Sequence, residues 1–340
     1  MKDTIIGIDL AKQVFDVYVE NGYGQVVERR RLSRKQVLPW FANRPAAVVG
    51  LEACGGAHYW ARELSRLGHE VRLIAPQYVK PWVQTNKRDA VDARAICRAV
   101  QEPGMRLVRI ASEAQQTVQA LHRVRCRLTA NRTALVNQTR GLLLEFGVAI
   151  AKGVTALRKA LPALLAEDHW AAEFRQVLLD HQAELREWDV RLAEVTARIE
   201  RASVQQPICQ RLQRIRGIGP LAASALWLKS AGQVYHNGRH LAAALGLVPA
   251  HTGTGGKVRL GRISKRGDRY LRQLLIHGAR AVVARIGEKA DPVSGWLRRL
   301  VTQRGMNKAV VALANKNARV AWAVMQHEQE YDQRKVCQAY

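Results

Sequence analysis

Thr4-Ile5-Ile6-Gly7-Ile8-Asp9 opens the chain with an apolar run that stops on a carboxylate. Val14 to Glu20 and Gln25 to Leu32 continue with period-two alternation, and Asn21-Gly22-Tyr23-Gly24 between them is a short turn signal. The spacing therefore predicts an antiparallel meander of three strands. Outward from it, Ser33 caps a helix through Phe41, Ala46 to Leu51 reads as a buried strand, His58 to Leu67 as a helix and Glu70 to Ile74 as a fifth strand. Three hairpin strands followed by alternating helix and strand is the order of a ribonuclease-H-like α/β layer.

In that order the first strand, the fourth strand and the last helix can carry their acids to one sheet edge. Asp9 follows the first strand and Glu52 follows Val48-Val49-Gly50-Leu51. Asn86-Lys87-Arg88-Asp89-Ala90-Val91-Asp92-Ala93-Arg94 begins a helical pattern with Asp89 and Asp92 three apart, on one helix face. Buried carboxylates at strand ends are costly without a partner, so the four acids point to a divalent metal. As single features they are also what solvated helix faces and caps contain.

The remaining composition says what would be brought to such a metal. Lys plus Arg total 54 against 28 acids, a formal charge of +26, which favours a strongly anionic partner and above all nucleic acid. The 340 residues, 48% hydrophobic, are enough for two or three domains with cores. Five scattered cysteines show neither Cys-x-x-Cys nor Cys/His metal spacing, so a disulfide framework and a zinc site are not expected. No apolar run approaches the length of a membrane span, and a cytoplasmic protein without a membrane partner is expected.

Gln101-Glu102-Pro103-Gly104 marks a first boundary, dividing an α/β domain (1–103) from an all-α remainder. Ser112-Glu113-Ala114-Gln115 has capping-box form and opens a helix to about Phe146, before Gly147. A second long helix is expected after Pro162, with Leu178, Leu185, Leu192 and Ile199 seven apart and His181, Trp188 and Val195 in the alternate seam positions. That heptad makes 104–206 a helical coiled-coil middle, compatible with a hairpin folding on itself or with pairing between chains. Pro207 opens a mainly helical C-terminal domain (207–326), followed by a polar tail (327–340).

Within 207–326, Ile215-Arg216-Gly217-Ile218-Gly219-Pro220 resembles a helix-hairpin-helix turn, where the backbone at Gly217 and Gly219 can approach a phosphate. Gly246-Leu247-Val248-Pro249 leads into His251-Thr252-Gly253-Thr254-Gly255-Gly256-Lys257. Arg259, Arg262, Ser264, Lys265, Arg266, Arg269 and Arg272 follow, with Asp268 the only acid between Gly246 and Arg285. Together with Lys87 and Arg88 these are the candidate nucleic-acid contacts. The glycine-rich loop can hold a phosphodiester, with or without presenting a hydroxyl to it.

Taken in order, Gly7-Ile8-Asp9, Glu52, Asp89-x-x-Asp92, a coiled-coil middle, Gly217-Ile218-Gly219-Pro220, Gly246-Leu247-Val248-Pro249 and Ile263-Ser264-Lys265-Arg266-Gly267 resemble the IS110-family transposases, in particular the IS1111 subgroup, over nearly the whole chain. The resemblance implies a RuvC-like domain whose D-E-D-D set falls on Asp9, Glu52, Asp89 and Asp92. It also implies a C-terminal transposase domain, Mg²⁺ or Mn²⁺ as cofactor, and assembly into dimers or a tetramer. It further implies a noncoding guide RNA, called bridge RNA or seekRNA, that pairs with donor and target DNA. In the family a serine in a P-x-x-x-x-S-G arrangement attacks the scissile phosphate; counting from Pro249 places Thr254 there, before Gly255. The chain thus departs from the pattern by carrying a threonine hydroxyl. Ser264 is a second hydroxyl, read as structural or phosphate-binding. The acids alone equally fit a RuvC-like nuclease using metal-activated water, and a third reading is a non-enzymatic nucleic-acid-binding protein.

Overall fold

The computed structural model describes residues 4–83, 89–230, 235–253, 259–327 and 330–331. Its contacts fall into two units, Met1–Gln115 with Trp227–His240, and Gln116–Leu226 with Leu241–Tyr340. The first holds β1 (Ile5–Leu10), β2 (Val14–Glu20), β3 (Val26–Ser33), α1 (Val37–Ala42), β4 (Val48–Glu52), α2 (Ala57–Arg66), β5 (Glu70–Ile74), α3 (Pro76–Val79), α4 (Asp89–Ala99) and β6 (Leu107–Val108). The strands form one mixed sheet in the order β3-β2-β1-β4-β5-β6. β1, β4 and β5 are parallel, while β1/β2, β2/β3 and β5/β6 are antiparallel. That mixed α/β arrangement is consistent with the ribonuclease-H-like order read from the sequence. The two-residue β6 had no periodic signal and is an addition to it.

Strand alternation decides which residues meet which helices. Ile6, Ile8, Phe15, Val17, Val19, Val49 and Leu51 face one way, into a core completed by Phe41 of α1 and by Trp60 and Leu64 of α2. Gly7 and Gly50, one step out of phase, face α4. A Cβ at Gly7 would lie 2.2 Å from the Ala93 carbonyl oxygen and 2.6 Å from the Cys97 nitrogen, so the α4 backbone rests directly on β1. Gly50 meets the Ile96 and Val100 side chains, each 3.1 Å from the position of a Cβ. The Cys97 thiol points at the Ile5 carbonyl, 3.7 Å away, so α4 runs antiparallel to β1 and brings its first turn over the strand's C-terminal end. Its last turn is tied down by the wholly buried Glu20, with Arg98 Nε at 3.0 Å and Gln101 Nε2 at 2.9 Å.

The remaining elements are helical apart from one hairpin: α5 (Glu113–Glu145), α6 (Val154–Leu165), α7 (Ala172–Val204), α8 (Pro207–Gln213), α9 (Pro220–Ser230), α10 (Gly238–Ala244), β7 (Pro249–Thr252), β8 (Arg259–Ile263), α11 (Arg269–Ala284), α12 (Pro292–Arg304) and α13 (Met306–His327). The capping box at Ser112 forms in both directions. Gln115 N donates to Ser112 Oγ at 3.2 Å, and Ser112 N donates to Gln115 Oε1 at 3.0 Å. The heptad leucines of α7 are buried against the chain's own α5 and α6: Leu178 and Leu185 with Leu135, Leu143 and Leu161, Leu192 and Ile199 with Leu128. His181 Nδ1 lies 2.9 Å from Thr139 Oγ1 across the same seam. A helical hairpin folded on itself therefore accounts for the pattern without a partner chain.

The second long helix expected after Pro162 is α7, but it begins only at Ala172, because Pro162 lies inside α6 and that helix ends at Leu165. Side chains satisfy the carbonyls freed at that end. Trp170 Nε1 donates to the Leu164 carbonyl at 2.6 Å, and Arg175 Nη2 donates to the Leu165 carbonyl at 2.9 Å. A local sequence pattern carries no signal for such a cap. Among the described residues no helix is long and apolar enough to cross a membrane.

Candidate active site and nucleic-acid interface

The parallel register Gly7↔Gly50, Ile8↔Leu51 carries on one residue to set Asp9 beside Glu52 at the strand ends. Both lie two residues beyond a glycine that faces α4, so both belong to the α4 face. Ala93 sits over Gly7. Ile96 sits over Gly50, so one helical turn toward the N-terminus of α4, about 5 Å, runs from Ala93 to Asp89 and from Ile96 to Asp92, in the direction of the ends of β1 and β4. The fold thus sets Asp9 and Glu52 side by side on the face that carries α4, with the start of that helix, and Asp92 on it, directed toward the same strand ends. Asp9, Glu52 and Asp92 are all half-buried, while the Asp89 side chain lies outside the described residues.

Cys54 reports on the local field. Burial pushes its thiol pKa up, and the carboxylates of Glu52 and then Asp9 push it further, so both negative charges act on the same point. The cysteine accordingly stays a neutral thiol, and the donors gathered here are hard carboxylate oxygens, the set preferred by Mg²⁺ or Mn²⁺. Among the described residues no three His, Cys, Asp or Glu groups stand as a ready metal cage.

Sequence reasoning missed a fifth acid. Asp16 of β2 pairs directly with Asp9 in the antiparallel register, and Arg31 of β3 pairs with Asp16. One row therefore crosses the sheet from Arg31 through Asp16 and Asp9 to Glu52. The hairpin is centred between Lys12 and Gln13, and that register, which alternation alone does not choose over its neighbours, sets Asp9 opposite Asp16.

In the second unit Gly217 has φ +92°, and a Cβ there would lie 3.1 Å from the Gly278 carbonyl carbon of α11. In return a Cβ on Gly278 would lie 1.8 Å from Gly217 O. Asn317 Nδ2 of α13 donates to the Arg216 carbonyl at 2.9 Å. Close packing of two backbones thus accounts for Gly217, whereas Gly219 meets nothing within 4 Å.

The stretch read as a glycine-rich loop is in part a hairpin, with His251 opposite Leu260 and Thr252 opposite Arg259. Thr254 and Lys257, in the segment joining β7 to β8, lie outside the described residues, as do Lys87 and Arg88. Arg259, Arg262, Lys265, Arg266 and Arg269 are exposed and Ser264 is half-buried. Gly246 and Gly267 let the loop after β8 close on α10: a Cβ at Gly267 would lie 1.9 Å from the Ala244 carbonyl oxygen. Between them Lys265 holds φ +54°. Arg272, expected to face nucleic acid, is instead buried, and its Nη1 donates to the Leu245 and Arg266 carbonyls at 2.9 Å each. It fixes the loop from inside.

Beneath the loop, His122 is buried, with Nδ1 2.8 Å from the Tyr270 hydroxyl and Nε2 3.0 Å from Ser224 Oγ. Ser224 Oγ in turn donates to the Pro220 carbonyl at 2.8 Å. Burial and then Arg125 lower the His122 pKa to about 4.

The chain was compared with known proteins. The family described as Transposase IS116/IS110/IS902 family matches residues 209–293, and the transposase family DEDD_Tnp_IS110 matches residues 6–147. The transposase for insertion sequence element IS1111A of Coxiella burnetii is 40% identical over 97% of this chain and 92% of its own length. The chain belongs to the IS110 family of transposases. A Pseudomonas aeruginosa protein named "Probable family 20 transposase" is 49% identical to this transposase over 96% of its chain and 98% of the relative. The transposase for insertion sequence element IS1328 of Yersinia enterocolitica is 39% identical over 94% and 96%. An IS110-family transposase is an enzyme with DNA as its substrate, so the reading as a non-enzymatic binding protein is set aside. The DEDD match spans the sheet edge where Asp9, Glu52 and α4 converge, and a domain of that kind implies a divalent metal.

Proposed function

We propose that this transposase cuts and rejoins insertion-sequence DNA under the guidance of a noncoding RNA, with Asp9, Glu52, Asp89 and Asp92 as the metal-holding set. The observation that carries the reading is the juxtaposition of Asp9 and Glu52 at adjacent strand ends beneath the first turn of α4, both charges acting on Cys54. A divalent cation there, Mg²⁺ or Mn²⁺, supplies charge neutralisation at the phosphate and at the leaving oxygen. The Thr254 hydroxyl attacks phosphorus: it gives up its proton to solvent as the Oγ–P bond forms, the bond to the leaving sugar oxygen breaks, and that oxygen takes a proton from solvent, leaving a covalent protein–DNA intermediate. Lys87, Arg88, Gly219, Lys257, Arg259, Arg262, Ser264, Lys265, Arg266 and Arg269 contact phosphates, which gives affinity and leaves sequence choice to base pairing.

In this reading the chain comprises a RuvC-like domain (1–103), a helical middle (104–206), a transposase domain (207–326) and a tail (327–340), and works in the cytoplasm as a dimer or tetramer. Incubation with guide RNA, cognate DNA and Mg²⁺ is expected to give an adduct that survives denaturing electrophoresis and is lost in Thr254→Ala and in Asp9→Asn. An adduct formed by Thr254→Ala would exclude Thr254 as the nucleophile. Cut ends without any adduct would favour the metal-activated-water nuclease.

A further inference from the structure

We propose that the groove along β2, walled by Arg29 and Arg31 of the edge strand β3, holds the DNA strand that runs into the acidic corner. The groove encloses about 200 Å³ and is lined by Asp16, Val17, Tyr18, Arg29, Arg30 and Arg31. β3 alternates like the other strands. Leu32 turns into the core and Arg30, on the same side, pairs with Glu28 at 3.5 Å. Arg29 and Arg31 therefore project on the opposite face, the one that carries α4, through their pairing with Tyr18 and Asp16. The Arg29 guanidinium stands 5.2 Å from the centre of the Tyr18 ring, and Tyr18 itself packs on Ala93 and Cys97 of α4. Arg29 and Arg31 thus border the groove on the face that carries α4.

Arginines on an edge strand commonly serve only to discourage pairing with another sheet. That role needs charge beside the open edge and no particular destination. Here Arg31 stands in the same cross-sheet row as Asp16, Asp9 and Glu52. Two strand spacings, about 10 Å, separate Arg31 from Asp9, a reach suited to neighbouring phosphates of one strand. A carboxylate corner repels DNA until its charge is offset, so a row of guanidiniums leading up to it supplies the attraction that positions the phosphate. The occupant is a DNA strand, because the groove is continuous with the corner proposed above to cut DNA; the inference rests on that reading.

The test is fluorescence anisotropy of a labelled single-stranded DNA oligonucleotide with the full chain, in EDTA so that no cutting intervenes, as a function of salt. Loss of two phosphate contacts lowers the slope of log K against log salt by about 1.4 for a single strand, which at 0.1 M salt is a loss of affinity of roughly 25-fold. Arg29→Ala/Arg31→Ala is expected to show that loss with an unchanged far-UV circular dichroism spectrum, and Arg29→Lys/Arg31→Lys to recover most of it. Wild-type affinity and slope in the alanine variant would overturn the proposal, and a changed oligomeric state with unchanged DNA binding would assign the edge to a second copy of the chain instead. Asp9→Asn is read in parallel for metal-dependent cutting alone. Cutting by that variant would remove the acidic-corner reading, whereas the groove stands or falls on the salt slope.

Discussion

Gly7→Ala is the sharpest probe of how the acidic corner is positioned. The new Cβ would lie 2.2 Å from the Ala93 carbonyl oxygen, against a normal carbon–oxygen approach of about 3.3 Å. Neither atom can turn aside, since both are fixed to backbone, so α4 has to withdraw by about 1 Å. Such overpacking costs about 1–3 kcal/mol, which at about 4 °C per kcal/mol for a unit of this size lowers the melting temperature by roughly 4–12 °C. The same withdrawal carries the first turn of α4 away from Asp9 and Glu52, and a misplacement of about 1 Å at a reacting centre costs on the order of 10²-fold in rate. Gly50→Ala is the control. Its Cβ would meet only the Ile96 and Val100 side chains, each at 3.1 Å, which can yield by a few tenths of an ångström. Differential scanning fluorimetry and metal-dependent cutting of DNA, both read below the melting temperature of each variant, give the two numbers. A Gly7→Ala protein that loses stability yet cuts at the wild-type rate per folded molecule would refute the argument that α4 sets the acids.

Two further outcomes follow from the second unit. His122 has a folded pKa lowered to about 4 from 6.5, so the unfolded chain binds the extra proton between those values. Stability is then full above pH 6.5 and falls by up to roughly 3 kcal/mol as pH drops toward 4; urea midpoints across that window should be flatter in His122→Gln. Asp291 caps α12, accepting from Ser294 N at 3.0 Å and from Arg216 Nη1 at 2.8 Å. Partial burial alone would raise its pKa, but the Ser294 hydrogen bonds and Arg216 outweigh it and hold the carboxyl low. Asp291→Ala is expected to cost about 1 kcal/mol above pH 4, measured by chemical denaturation, with the difference shrinking as pH falls below the carboxylate range.

Period-two alternation placed the meander β1 to β3 and a short apolar run placed β4, buried on both faces, which was enough to set Asp9 and Glu52 at strand ends. The Ser112 capping box and the α7 heptad were legible for the same reason, as each depends on residues a few positions apart. What escaped depends on distance. The Gly217–Gly278 contact joins a turn to the middle of a helix, two segments that share no local pattern. The burial of Arg272 follows from two carbonyls on separate segments, and β8 is too charged to announce itself as a strand. Pro162 did not mark the start of α7, because it lies inside α6, and Trp170 and Arg175 satisfy the freed carbonyls at the end of that helix.

Lys265 carries a consequence of its own. Left-handed backbone costs a residue with a Cβ about 1–2 kcal/mol, a cost that glycine escapes and asparagine reduces. At φ +54° the backbone of this position is better suited to either of those than to lysine. Substitutions there rank in opposite orders for two properties: glycine gives the most comfortable chain, and only lysine or arginine leaves a cation at the tip of the loop. A sequence drifting toward stability alone would move away from lysine, and the exposed charge would go with it.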